Sequence, residues 1–225
     1  VLDVCCGAGA SAIPAARAVG PHGTVLGLDL AEPLLALARQ RAAQLGLNSV
    51  SFRACDATAS GLPSGSFDAV VCVFGVFFAA DMSAFVSEMW RLVRPGGTLA
   101  ITTWGPQWCE PASSVFWQSV RELEPALFRA FNPWDEITTE PALADLLARG
   151  GVSGAKVEAT AGEYHKLERA EDFWEIVLGS GYRATVDALD PQQREHLRER
   201  VVSELNSRRV TSVRNDVVFG TALKV

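Results

Sequence analysis

The sequence predicts an open, doubly wound α/β sheet, and three observations carry that prediction. Apolar, strand-like runs alternate with helix-periodic stretches over the first hundred residues, the pattern of successive β–α–β units. The segment Ala69 to Phe74 is apolar without a break, as a strand covered on both faces of a parallel sheet must be. A glycine turn inside "VLDVCCGAGAS", Val1 to Ser11, joins the first strand directly to the first helix.

The elements follow in order. Val1 to Cys6 reads as strand one. Ala10 to Val19 is a short helix, with Ser11 expected as its cap and Pro14 in a tolerated first turn. "TVLGLD", Thr24 to Asp29, is strand two. Glu32 to Leu45 is a helix with Leu34, Leu35, Leu37, Ala38, Ala42 and Leu45 on its apolar side, and Gly46 stops it. Val50 to Cys55 is strand three, and Ala69 to Phe74 strand four. Ser83 is expected to cap a helix through Val93, "RPGG" ends it, and Thr98 to Trp104 is strand five. Right-handed crossovers place helices on both faces, and ligands of such sheets bind beyond the C-terminal strand ends.

The second half is less regular. Ala112 to Ala130 reads as helical with a break at Pro125, and "FNPWDEI" as a loop. Thr139 caps a helix that ends at Gly150 and Gly151, and Ala155 to Tyr164 reads as strand six. Glu171 to Leu178 and Pro191 to Ser207 are further helices, the second capped by Asp190 with Pro191 in first position. Asp216 to Val225 is a last strand. Lys166 to Arg209 is long for a connection between strands and is expected to be a helical insertion that covers a site.

Composition bounds the partners. Of 225 residues, 48% are hydrophobic, enough for a sizeable core. Net charge is −6, and the closest approach to a basic stripe, Arg194, Arg198 and Arg200, is interleaved with Glu195 and Glu199 as on a solvated helix face. Nucleic acid is a poor fit, because phosphate neutralisation dominates such binding. The longest apolar run, Ala69 to Ala80, is too short for a membrane span. The five cysteines, Cys5, Cys6, Cys55, Cys72 and Cys109, are odd in number and lack CxxC spacing, so they read as small buried hydrophobes in a reducing cytoplasm. His22, His165 and His196 are too scattered for a metal cluster. The chain has no initiator Met and Val1 begins inside a predicted strand, so upstream residues are expected to be missing.

The glycine turn reads Gly7-x-Gly9-x-x-Ala12, and Asp29 lies 20 residues after Gly9 at the end of strand two. Glycines allow positive φ and close approach of a ligand, the following helix offers free N–H groups, and an acid at Asp29 can accept both hydroxyls of a ribose. That pattern suits a nicotinamide dinucleotide as well as S-adenosylmethionine, and a tight turn without a ligand is spelled the same way. Three features add to it. Asp56 follows strand three in "ACDATASGLP", "GSFDAVVCVFG" puts Asp68 before strand four and Phe74-Gly75 at its end, and "EMWRLVRPGGTLAITTW" is a helix, a Pro-Gly-Gly turn and a strand.

Together these residues resemble the class I S-adenosylmethionine-dependent methyltransferases, especially the group of the ubiquinone and menaquinone C-methyltransferases, over Val1 to Trp104. The resemblance implies a Rossmann-like, mostly parallel seven-stranded sheet. Its last strand is antiparallel and inserted between strands five and six, a role for Asp216 to Val225. It implies one methyltransferase domain over 1–225, with a cofactor-binding half at 1–104 and a substrate-side half at 105–225 whose helical lid spans about 166–209. It implies S-adenosylmethionine as cofactor and S-adenosylhomocysteine as product. By position, Asp3, Gly7 and Gly9 would surround the methionine part, Asp29 would hold the ribose with Leu30 beside the adenine, Asp56 and Ala57 would meet the adenine edge, and Val73 and Phe74 would line the cofactor. One departure stands out: the family reads Asp-x-Gly-x-Gly-x-Gly, and Cys5 replaces the first glycine. Because Cys5 falls within the expected strand, it is expected to be harmless; a positive φ there would strain it.

A small-molecule acceptor is expected. Strand four ends in Val73-Phe74-Gly75, unlike the Asn/Asp-Pro-Pro-Tyr/Phe loop of methyltransferases acting on nucleobase amines, and no Pro-Cys pair offers a cytosine-directed nucleophile. Trp104 and Trp108, after strand five, are pocket candidates, whereas Phe116, Phe128 and Trp174 read as helix core. Tyr182 and Arg183 could reach an acidic or phenolic acceptor, and His165 is the candidate base, since imidazole titrates near neutrality. The alternatives are an NAD(P)-dependent oxidoreductase, which would share the turn and Asp29 but lacks a Tyr-x-x-x-Lys pair, and a non-catalytic S-adenosylmethionine-binding protein.

Overall fold

A computed structural model describes residues 1–225. In chain order the elements are β1 (Leu2–Val4), α1 (Ala12–Ala18), β2 (Val25–Asp29), α2 (Glu32–Gln44), β3 (Val50–Ala54), β4 (Phe67–Val73), α3 (Met82–Leu92), β5 (Val93–Trp104), α4 (Ala112–Leu123), α5 (Glu140–Arg149), β6 (Lys156–Ala159), β7 (Tyr164–Lys166), α6 (Asp172–Gly179), α7 (Arg183–Asp187), α8 (Pro191–Ser207), β8 (Ser212–Arg214) and β9 (Val217–Leu223). They fall into two units. Unit 1 comprises Val1–Trp104, Glu136–Ala159 and Val217–Val225; unit 2 comprises Gly105–Asp135 and Thr160–Asp216.

Unit 1 is a seven-stranded sheet in the order β3-β2-β1-β4-β5-β9-β6. β1 to β5 pair in parallel, and β9 runs antiparallel between β5 and β6, the arrangement expected. The strand order reverses between β1 and β4, which opens a ligand crevice beyond their C-terminal ends. Leu2, Val4, Leu28, Val70, Cys72, Leu99 and Ile101 fill the sheet's buried centre. Cys6, Ala12, Ala16, Val25 and Leu35 form one cluster beside it.

Several element ends differ from expectation for local reasons. Ser11 does not cap α1; its hydroxyl turns back to Asp3. Asp81, not Ser83, caps α3: its Oδ1 accepts from Ala84 N at 2.9 Å and from Ser83 Oγ at 2.7 Å, so the Ser83 hydroxyl donates to the capping carboxylate instead of capping the helix itself. β4 starts at Phe67 and β5 at Val93, joined across a register shift between Phe67 and Ala69. The expected sixth strand divides at Gly162, whose φ of +76° turns the chain, so that Lys156–Ala159 joins the main sheet while Tyr164–Lys166 pairs elsewhere.

Unit 2 holds α4, α6, α7, α8 and a two-stranded ribbon in which β7 pairs antiparallel with β8. Phe116, Phe173, Val177, Tyr182, Leu197, Val201 and Leu205 are its buried centre. α4 stops at Leu123, because Pro125 has no N–H to continue it, and a 3₁₀ turn at Pro125–Leu127 follows. α8 starts as expected: Asp190 and Gln193 form a reciprocal capping box, with Pro191 in the first turn.

Candidate functional site

The glycine turn leaves β1 through three successive special positions. Cys5 has φ +57°, Gly7 +51° and Gly9 +84°. β1 ends at Val4, so Cys5 lies outside the strand and in the left-handed region, contrary to the expectation that it was an unstrained strand residue. The cost for a residue with a Cβ is about 1–2 kcal/mol. A side chain at Gly7 would meet open space, so φ alone reserves this position for glycine, and the backbone there is bare toward any ligand. At Gly9 a Cβ would come within 3.1 Å of Ile13 Cδ1, so the second glycine lets the turn close on α1.

Two carboxylates hold the turn. Asp29, at the end of β2, accepts Gly7 N on Oδ2 and Ala31 N on Oδ1, each at 2.8 Å. A carboxylate has about four acceptor positions, so two remain for hydroxyl donors. Asp3, in the middle of β1, is fully buried. Ser11 Oγ donates to its Oδ2 at 2.6 Å, and Oδ1 has no partner within hydrogen-bonding geometry. Burial pushes the Asp3 pKa up to about 7 against the pull of Ser11, with the Asp29 charge adding to the rise.

The neighbouring strand ends carry the other predicted cofactor residues. Leu30, directly after Asp29, is 74% exposed, an apolar side chain left open at a strand end. Asp56 caps the 3₁₀ turn Ala57–Ala59; its Oδ1 takes both Thr58 N (2.9 Å) and Thr58 Oγ1 (2.7 Å), and these bonds hold its carboxyl below the usual range. Ala57 is buried beneath it. Val73 ends β4, and Phe74 follows with φ +54°, its N–H on Thr102 O at 3.0 Å. The Phe74 ring stacks on Trp104 at the end of β5, centroids 3.6 Å apart and planes 13° from parallel. Gly75 is required by close approach: a Cβ would stand 2.4 Å from that of Cys5. β1, β2, β3, β4 and β5 thus bring Asp3, Gly7, Gly9, Asp29, Leu30, Asp56, Ala57, Val73, Phe74 and Trp104 to one end of the sheet in unit 1.

This set fits a charged nucleoside. An orphaned buried carboxylate oxygen and a second carboxylate suit a cation, the bare Gly7 backbone suits close contact, and exposed Leu30 suits the face of a base.

The remaining predicted residues lie in unit 2. Trp108 is buried, edge-on to Trp134 at 5.4 Å and 5.5 Å from the Tyr182 ring. Tyr182 is the hub: it stacks on Phe116 at 4.9 Å and 6°, and its hydroxyl shares a 2.8 Å hydrogen bond with Ser113 Oγ. Burial raises its phenol above the ordinary range. Arg183, its neighbour in sequence, points to the surface and pairs with Asp187 at 3.2 Å, so the two do not converge. His165 is exposed on β7, opposite Val213 of β8. Sequence reasoning did not single out Ser113, and it named Trp117 and Trp134 only among the aromatics after strand five that could form a pocket; all three border a cleft of about 520 Å³ with Trp108 and Tyr182. Trp117 Nε1 is buried beside the Tyr182 hydroxyl and lacks hydrogen-bond geometry. The i, i+4 spacing of Ser113 and Trp117 was visible, but only the return of Tyr182 gives it meaning.

Comparison with known proteins decides the family. A family model described as a methyltransferase domain matches residues 1–97. Nocamycin O-methyltransferase of Saccharothrix syringae is 33% identical over 221 residues, covering 92% of this chain and 78% of that protein. The chain belongs to the class I S-adenosylmethionine-dependent methyltransferases. Demethylmenaquinone methyltransferase of Listeria monocytogenes serotype 4a is 38% identical over 100 residues, 44% of this chain and 42% of that one. The Haemonchus contortus phosphoethanolamine N-methyltransferase 2 structure with S-adenosyl-L-methionine shares the fold at TM-score 0.59 and 20% identity, over 100% of this chain and 48% of that one. As a methyltransferase, the protein takes its methyl group from S-adenosylmethionine, releases S-adenosylhomocysteine and acts on a small molecule. No helix of this methyltransferase is long and apolar enough to cross a membrane.

Proposed function

We propose that this methyltransferase transfers the methyl group to an oxygen atom of a small, ring-containing acceptor, with the strand ends of unit 1 holding the cofactor. The single observation that carries this reading is the relationship to nocamycin O-methyltransferase over nearly the whole chain, unit 2 included. The acidic balance of the chain supports a free small molecule over nucleic acid. Five free thiols support a reducing cytoplasm as its location.

The cofactor, when bound, supplies an electrophilic methyl for in-line displacement, so alignment is the protein's main contribution. Well-aligned reactants can gain about 7–11 kcal/mol from positioning alone. Asp29 offers its two remaining acceptor positions to ribose hydroxyls while the Gly7 and Ala31 amides fix the carboxylate. Asp56, with Oδ1 engaged by Thr58, keeps Oδ2 for the exocyclic amine of adenine, and Leu30 covers the base. Asp3 and the Gly7–Gly9 turn meet the cationic amino-acid end. Phe74 would line the cofactor, and Trp104, stacked on it, would line the acceptor. Within unit 2, Trp108, Trp117 and Tyr182 line a cleft whose aromatic walls suit a ring compound. His165 stands as the candidate base for a hydroxyl proton.

Calorimetric titration tests the cofactor half. Wild type is expected to bind S-adenosylmethionine and S-adenosylhomocysteine, and Asp29→Ala to weaken both by about 10–100-fold, the range for losing hydrogen bonds to a charged group. Equal affinity in the variant would remove Asp29 from the site. A screen of hydroxylated ring compounds, read as S-adenosylhomocysteine release, tests the acceptor half.

A further inference from the structure

The glycine turn and the neighbouring strand β4 each bring one thiol to a common point, and methyl transfer uses neither. Cys5 stands where the family carries glycine and takes φ +57°. Cys72, near the end of β4, is fully buried and sits in register with Val4 of β1. In a regular strand Cys5 would turn its side chain to the sheet face opposite Val4. The left-handed conformation interrupts that alternation. A Cβ built on Gly75 would lie 3.1 Å from Cys5 Sγ and 3.1 Å from Cys72 Sγ, so both sulfurs border one point. One residue of stagger between neighbouring strands separates the two Cα atoms by about 6 Å, within the span of a disulfide. Cys5 is partly exposed and Cys72 is not, which gives the pair an outer and an inner member. The Cys5 thiol alongside, together with burial, holds Cys72 protonated. Cys6 is not part of the pair, since its Sγ donates to Gly7 O and lies toward Gly27.

We propose that Cys5 and Cys72 are a paired-thiol modification site, closed to an intramolecular disulfide by exchange with a low-molecular-weight disulfide such as oxidised glutathione, and that closure lowers the affinity for S-adenosylmethionine. The second part rests on the assignment of the Gly7–Asp29 turn to the cofactor. The Cys5 thiolate, its proton passing to solvent, attacks one sulfur of the small disulfide and displaces a thiolate, leaving a mixed disulfide on Cys5. With Cys5 held in the mixed disulfide, its thiol no longer helps keep Cys72 protonated; Cys72 loses its proton to solvent, the thiolate attacks the Cys5 sulfur, the second small thiolate leaves and is protonated by solvent, and the bridge forms. Two protein thiols are oxidised and one small disulfide is reduced to two thiols. The bridge pulls Cys5 against β4, and the displaced turn takes Gly7 N away from Asp29 Oδ2.

The experiment titrates S-adenosylmethionine into reduced protein, into protein treated with oxidised glutathione, and into the latter after dithiothreitol. Peptides are mapped by mass spectrometry without reduction. Expected are a linked Cys5–Cys72 peptide, a dissociation constant raised by about tenfold or more and full recovery on reduction. No linked peptide should appear in Cys5→Ser or Cys72→Ala. Cys5 found unmodified, or found only as a mixed disulfide, overturns the site. A linked pair with unchanged affinity overturns its effect. Failure of the reduced protein to bind at all would instead overturn the cofactor reading, while the peptide map still decides the bridge.

Discussion

Replacing Asp3 by Asn isolates the electrostatic cost built into the first strand. The Asp3 carboxyl is pushed up to about 7 in the folded protein from an ordinary aspartate value of 3.8, chiefly because it is buried. The folded state therefore keeps this proton at pH values where the unfolded chain has lost it, and stability falls as pH rises from near 4 to near 7. About three pKa units correspond to about 4 kcal/mol, of which about 3 kcal/mol falls between pH 5 and pH 8. Asn is neutral throughout, close to the protonated acid in shape, and able to accept from Ser11 Oγ as Asp3 Oδ2 does. Urea denaturation of both proteins at the two pH values gives a double difference in which titrating groups not coupled to Asp3 cancel. Asp3→Asn is expected to gain about 3 kcal/mol relative to wild type between pH 5 and pH 8. Parallel pH dependence, within about 0.5 kcal/mol, would show that Asp3 ionises freely when folded and would refute the burial argument. The same proton competes with a bound cation, so the affinity of wild type for S-adenosylmethionine should rise with pH through about 7 and stay flat in the variant.

Two further outcomes follow from unit 2. A base role for His165 requires His165→Ala to lower kcat by about 100-fold or more with cofactor affinity unchanged, because positioned general bases contribute on that scale; unchanged kcat removes it from the chemistry. Tyr182→Phe strands the buried Ser113 hydroxyl and should cost about 1–3 kcal/mol in chemical denaturation, with no loss if the Ser113 bond is dispensable.

The sheet was legible because its signals are local and strong. Unbroken apolar strands, Gly46 after α2 and the Asp190-Pro191 start of α8 each state their conformation within a few residues. The positions of the candidate carboxylates were legible for a related reason: strand ends place Asp29 and Asp56 with little freedom. Choices between neighbouring competitors were not. Asp81 and Ser83 both suit the start of α3, and only the path of the chain decides that the carboxylate reaches Ala84 N. Ser11 could cap α1 or serve Asp3, and a buried carboxylate makes the second use stronger. Cys5 was misread because residue type argues for a strand while the turn imposes a left-handed backbone. Tyr182 and Arg183 were read together, yet α7 begins between them and sends one inward and the other to solvent.

The antiparallel strand β9 has a consequence for how such an enzyme can change its substrate. Trp104, where the chain departs for unit 2, pairs with Val217, where it comes back, and Ala159, a second point of departure, pairs with Val218 on the next rung. Exit and re-entry are thus stitched together by hydrogen bonds belonging to the sheet alone. A lineage can lengthen, shorten or rewrite the intervening residues without altering the register that places Asp29 and Asp56. The segments 105–135 and 160–216 are therefore separable stretches of one gene product, and exchanging them between relatives is a rational route to chimaeras that keep the sheet.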